Sequence, residues 1–327
     1  MKVMRGMAVA LLAVVISVVP CFAGPFPIYV TVVMHTEDPP TNPDFTRDRD
    51  TYLRWRDALV EFAELLHRYG AALDYQCEWT FPAAAATYDK RDVTANTEGL
   101  NVLKYLHDVL GVSIDPHAHE RIYNYADVAE LIRRTGVEPS QVVGGFLYWP
   151  PDNRQNWERF REPLQGRMFP EATWTGRILW GAGTAGHRGP DLFASGVWRP
   201  KDRYHFITHD PESPLIYIGS WRRTTMRAGG LFELVELARR GELDPQGMYT
   251  VSIFVAHGVV VRGGEEFLAK FTDAVLEPVG ELVEEGLVRW ATLPEIARIW
   301  VEEHGEHPTI YIPADQRELI RSLFREG

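Results

Sequence analysis

Six consecutive residues, Asp115, Pro116, His117, Ala118, His119 and Glu120, gather side chains that bind divalent metals or move protons at neutral pH. Side chains alternate along extended backbone, so two histidines one residue apart face the same way and both imidazoles can reach one ion. Neighbouring carboxylates supply further ligands or orient the rings from behind. The competing reading is a pair of structural or surface histidines, since the chain holds 11 of them. Position favours a metal. The apolar run from Gly111 to Ile114 reads as a strand, and strand-to-loop junctions are where α/β proteins assemble their chemistry.

Two other strand ends carry similar groups. The β-branched run from Ile28 to Met34 suits a strand buried on both faces, and it ends in His35, Thr36, Glu37 and Asp38 before Pro39 and Pro40. Its plain reading is a polar turn closed by prolines. A second buried run, Met248 to Ala256, ends at His257 and Gly258, where a histidine serves either as a hydrogen-bonded turn residue or in acid–base catalysis. Arg199, after the short strand Gly196 to Trp198, can pair with an acidic catalytic group.

The elements that must position these groups alternate. A helix is expected from Thr51 to Tyr69, where Tyr52, Trp55, Leu59, Phe62, Leu66 and Tyr69 form one face and Gly70 stops it. A strand over Ala71 to Cys77, a helix over Leu100 to Leu110, the histidine-bearing strand, a helix capped by Asn124, and a strand over Val142 to Tyr148 follow. This alternation means a parallel sheet wound by right-handed crossovers. Regularity lapses over about residues 149–229, a stretch rich in tryptophan that suits a lid or substrate wall. Order resumes with a helix over Leu231 to Arg240, a long helical stretch from Glu265 to Glu285 bent near Pro278, and a strand over Leu287 to Ala291. A helix start with capping-box spacing at Thr292 to Glu295 and a terminal helix over Asp315 to Arg325 complete the chain.

Composition bounds the function. With 34 basic against 45 acidic residues the net charge is −11, and no basic block interrupts it, which makes the chain a poor binder of anionic membrane and argues against nucleic acid as a partner. Residues 1–23 read as a secretory signal peptide, with Lys2 and Arg5 before an apolar run and small residues ahead of Gly24. Residues 24–327 then form one domain of a size normal for an α/β barrel, secreted or periplasmic, with no later membrane span. Cys77 is the one cysteine left, so no intrachain disulfide is expected.

In this order the features resemble the polysaccharide deacetylase (NodB-homology) superfamily of carbohydrate esterases, over roughly residues 27–303. The resemblance implies a distorted (β/α) barrel of about seven strands and a divalent metal. It sets Glu37 and Asp38 in the place of two adjacent acids, the first a general base and the second a metal ligand. It matches His117 to the first metal histidine; position 121 is Arg where the second would stand, so His119 takes that part. Arg199 with Pro200 matches an arginine that holds the base ionised, and His257 a general acid. His35 is a rival ligand to Asp38. The implied reaction is removal of an acyl group from an amino sugar or related carbohydrate by metal-activated water, with Zn2+ best suited to imidazole and carboxylate ligands. Two alternatives stand beside it: another hydrolase on the same barrel (glycosidase or amidohydrolase-like), and a carbohydrate-binding protein without catalysis.

Overall fold

A computed structural model describes residues 27–145, 157–181, 194–202, 205–221, 224–225 and 227–317. The expected signal segment, most of the terminal helix, and Phe146 to Tyr148 lie outside the described residues.

The chain begins with β1 (Ile28–His35), α1 (Arg49–Arg68), β2 (Leu73–Cys77), α2 (Thr80–Tyr88), α3 (Val102–Asp108), β3 (Ser113–Pro116), α4 (Tyr125–Arg133) and β4 (Val142–Val143). Short strands follow: β5 (Leu164–Gln165), β6 (Thr173–Trp174), β7 (Ile178–Leu179), β8 (Val197–Trp198), β9 (Ile216–Ile218) and β10 (Thr224–Thr225). The chain continues through α5 (Gly229–Arg239), β11 (Thr250–Ala256), α6 (His257–Phe271), α7 (Glu277–Glu284), β12 (Val288–Trp290) and α8 (Leu293–Glu302). The alternation expected from sequence is therefore present, with one helix more. Residues Thr80 to Tyr88 form α2, whose apolar composition gave no helical periodicity to read.

The main sheet runs β10-β11-β1-β2-β3, every pairing is parallel, and β12 lies beside the first residues of β1. All eight residues of β1 are buried, as a central parallel strand covered on both faces requires. A second sheet of order β4-β7-β9-β8 mixes parallel and antiparallel pairs. The bridge between His117 and Gly144 joins the second sheet to β3. On its far side, Ser252 of β11 donates from its backbone N–H to the Ser220 carbonyl at 3.0 Å.

Register decides which side chains share a face. His35, Gln76 and Asp115 are partners across β1, β2 and β3, so they point the same way, and His117 follows two residues on. Met34, Tyr75 and Ile114 alternate to the other face, under the helices. There α1 packs on α6 through Phe62 against Phe267 and Phe271. Asp48 starts α1 by accepting the Thr51 N–H at 3.0 Å, and Asn124 and Thr292 close full capping boxes on α4 and α8. The expected bend in the long C-terminal helical stretch is real, but it is a π turn over Thr272–Leu276 ahead of Pro278. A short helical segment opens at His257, and after the break at Gly264 (φ +48°) the long stretch starts at Glu265, as the sequence places it.

Candidate metal centre

The ends of β1 and β3 bring four side chains together. Glu37 lies at their centre: its Oε1 is 2.9 Å from Nε2 of His35, and its Oε2 is 3.4 Å from Nε2 of His117 and also bonds Nε2 of His119. One donor atom each from His35, Glu37 and His117 lies within 4.8 Å of the others, a spacing that fits a single ion. The rings of His35 and His117 stack with centroids 4.7 Å apart, and Phe254 meets His35 edge-on at 4.6 Å. His35 and His117 are buried, while Glu37 and His119 keep 24% and 31% of their side-chain surface, so the cluster opens to solvent on the His119 side.

The hydrogen bonds fix which nitrogens face inward. Nδ1 of His117 lies 2.7 Å from the Gly144 carbonyl oxygen, which can only accept, so Nδ1 carries a proton and Nε2 is turned to Glu37. Tyr125 donates to the same carbonyl at 2.9 Å. Bracketed by a carbonyl and a carboxylate, His117 must be an imidazolium unless a cation takes the place of its second proton. Burial opposes that charge, yet Glu37 and the Gly144 carbonyl raise the ring's pKa above its ordinary value. Burial would likewise raise Glu37, but hydrogen bonds from His117, His119 and His35 hold it well below the usual carboxylate range. A carboxylate amid three imidazoles, one of them with its far nitrogen pinned by a carbonyl, is the donor set of a histidine–carboxylate metal site, and the residues fit a divalent ion.

Glycines make room for the rings. A Cβ on Gly145, which has φ +72°, would lie 2.7 Å from Cε1 and 2.8 Å from Nδ1 of His117. A Cβ on Gly181 would strike Gly145 at 2.7 Å. Two adjacent glycines in a strand-like run are the sequence signal for such a close approach.

The other expected site residues stand differently. Asp38 is buried beside the cluster, outside the triad of donor atoms, and its Oδ1 has no hydrogen-bond partner. Burial raises its pKa, against the pull of His117, His119 and Arg121. The triad of donor atoms thus groups Glu37 and His35 with His117, where the sequence reading set Asp38 as the acidic ligand and His35 as its rival. Arg199 is not near Glu37: its Nε donates to Glu306 at 2.7 Å and its Nη1 to the Ser213 carbonyl at 3.0 Å. His257 is on the wrong face. Ala256 is the register partner of His35, so the next side chain points under the helices. There Nε2 of His257 donates to the Trp55 carbonyl at 2.8 Å, and Nδ1 accepts from Tyr75 at 3.3 Å. Burial lowers its pKa to about 4, against the hydrogen bond to Trp55.

Of the polar floor below the cluster, sequence reasoning singled out Asp115 but passed over Asp74 and Glu78. Asp115 accepts from Ser113 and Ser140, each at 2.6 Å, and burial raises it to about 6. Asp74 accepts from Thr31 at 2.6 Å and from the Leu293 N–H at 3.1 Å, tying α8 to β2. Glu78 accepts from the N–H groups of Thr80 and Phe81 at the start of α2, and burial takes it to about 8. At the rim, Trp79 stacks on Tyr123 at 4.6 Å and 23°, and Phe169 extends the pair at 6.1 Å.

No family model matches the chain, and no curated protein matches it. Among solved structures it is similar to a protein from Parabacteroides distasonis assigned as a glycoside hydrolase/deacetylase, with 12% identity, 85% of this chain and 71% of that chain covered, and a TM-score of 0.47. It is also similar to a 4-alpha-glucanotransferase from Thermococcus litoralis, with 11% identity, 88% and 42% covered, and a TM-score of 0.47. A GH57 branching enzyme from Thermococcus kodakaraensis gives 12% identity, 88% and 73% covered, and a TM-score of 0.44.

Proposed function

We propose that this chain is a secreted, metal-dependent hydrolase that removes an acyl group from a carbohydrate, built as one domain on a distorted barrel. The observation that carries the reading is the convergence of His35, Glu37, His117 and His119 at the ends of β1 and β3. His35, Glu37 and His117 would hold the ion, with His119 completing the set from the solvent side. A divalent ion, zinc by its ligand types, supplies Lewis acidity toward an acyl carbonyl and lowers the pKa of water.

The remaining groups act around it. Asp38 is the carboxyl left without a ligand's part; its bare Oδ1 would accept a proton at the edge of the cluster, where burial raises its pKa against the pull of His117, His119 and Arg121 and so makes it more basic. The Gly144 carbonyl keeps His117 in one tautomer. Trp79 and Tyr123, both half-buried, offer a flat apolar edge on which a sugar ring can rest, and the order of motifs supports a carbohydrate substrate. The bridge at His117 and the bond from Ser252 to Ser220 support a ring of strands around this floor.

The test is metal content by inductively coupled plasma mass spectrometry, beside a His117→Ala/His119→Ala variant, followed by a screen of acetylated sugars and aryl glycosides. About one equivalent of metal, lost in the variant, with acetate released from the sugars, is the expected result. No metal even after incubation with zinc would end the metallohydrolase reading, and glycoside cleavage without acetate release would move the chemistry to a glycosidase.

A further inference from the structure

We infer that the ion pair between Glu120 and Arg159 is a positioning device for the proposed metal centre: it sets His119 and thereby the affinity for the ion. The inference rests on the metal reading above. Glu120 directly follows His119, whose ring bonds Glu37. It adopts φ +56°, a left-handed conformation uncommon for a residue with a Cβ, so the chain is turned sharply next to a ligand.

Two arginines from the irregular middle of the chain hold that turn. Arg159 donates from Nη1 to Oε2 of Glu120, whose side chain is 2% exposed. Arg167 donates from Nη1 to the Glu120 backbone carbonyl at 2.8 Å. Arg167 is itself fixed, because the N–H groups of Arg167, Met168 and Phe169 all donate to Asp127 at the start of α4. On the other side, Arg121 donates to the Pro39 carbonyl at 3.2 Å, tying the turn to the loop that carries Glu37.

The pair is poorly built for stability. Oε1 of Glu120, and Nε and Nη2 of Arg159, are buried without hydrogen-bond partners. A buried ion pair gains little net stability even when its remaining polar atoms are satisfied, and orphaned donors and acceptors make it worse. What the pair does supply is direction, since a guanidinium fixed on one carboxylate oxygen allows the turn little freedom. The irregular segment thus reaches the metal through His119 without contributing a ligand itself.

Zinc affinity by chelator competition tests this on the full chain, comparing the wild type with Arg159→Met and Arg159→Lys. Melting of the metal-free proteins and the visible absorption of the cobalt-loaded proteins are read beside it. Outer contacts to metal ligands are worth about 10–100-fold in affinity. The expectation is about 10-fold weaker zinc binding and an altered cobalt spectrum in Arg159→Met, a lowered metal-free melting temperature because Glu120 is left buried and unpaired, and partial recovery of all three in Arg159→Lys. Equal zinc affinity in wild type and Arg159→Met would overturn the inference while leaving the metal centre standing. A weakened affinity with an unaltered cobalt spectrum would mark a merely structural pair and overturn it too. A wild type that takes up no zinc would remove the metal centre itself.

Discussion

His117 donates from Nδ1 to the Gly144 carbonyl at 2.7 Å, and this bond commits its other nitrogen to Glu37, 3.4 Å away. Without a cation the ring must carry a second, buried proton. An ion at Nε2 removes that proton and relieves the packing of imidazoles around one carboxylate. Zinc should therefore raise the melting temperature: at one hundred times its dissociation constant the gain is about 2.7 kcal/mol, or several degrees for a chain of this size. Glu37→Gln, which removes the central negative charge, should abolish the shift. A wild-type melting curve that zinc does not move in differential scanning calorimetry would contradict this.

Gly145 should not tolerate a side chain. Its φ of +72° already disfavours any other residue, and a Cβ would press within 2.8 Å of Nδ1 of His117, the atom that binds the Gly144 carbonyl. Gly145→Ala should cost about 1–3 kcal/mol of stability through forced repacking. It should also weaken zinc binding, because His117 has to leave its tautomer-fixing bond. Gly70→Ala serves as the control, since its φ is +63° and nothing lies within 4 Å of its Cβ position. Equal zinc affinity in the two variants would argue that His117 is not held through this contact.

What could be read from the sequence followed from local periodicity. The spacing of His117 and His119, the buried run of β1 and the capping residues Asn124 and Thr292 are all properties of neighbouring residues, and all stand in the structure. The misplacements came from register and distance. His257 follows a strand as expected, but whether it faces His35 depends on one residue of offset between β1 and β11, which only the pairing of His35 with Ala256 fixes. Arg199 finds its partner 107 residues away, beyond α8, and no local pattern marks Glu306 for that part. Which of Glu37 and Asp38 meets the histidines depends on how the chain leaves β1, where the Thr41 N–H donates back to the Asp38 carbonyl at 3.0 Å.

Arg199 should prove a structural residue. It joins β8 to the turn after α8 through Glu306 and to the loop before β9 through the Ser213 carbonyl, and its guanidinium lies 5.5 Å from the Trp300 ring centroid. Arg199→Met should lower stability by about 1–2 kcal/mol, given partial exposure of the ion pair, and leave zinc affinity unchanged. The measurement is urea unfolding together with a zinc titration. A loss of zinc binding at unchanged stability would return Arg199 to the site.

His257 should make the protein acid-sensitive rather than catalytically competent. Its ring is fully buried and neutral, donating to Trp55 and accepting from Tyr75, and burial lowers its pKa from 6.5 to about 4. The unfolded chain binds this proton more readily than the folded one between those two values, so stability rises with pH across the interval. The contribution is complete above about pH 6.5 and lost progressively as pH falls toward 4, an effect of about 3 kcal/mol at 1.36 kcal/mol per unit. His257→Gln keeps one donor for the Trp55 carbonyl and one acceptor for the Tyr75 hydroxyl but cannot titrate. Urea midpoints at pH 7.5 and 4.5 should fall less in His257→Gln than in the wild type. Glu78, raised by burial to about 8, contributes in the opposite sense and equally in both proteins, so the difference between them isolates the histidine. Identical pH dependence in the two would mean that His257 titrates normally in the folded chain, and a group exposed enough to do so would again be a candidate for acid catalysis.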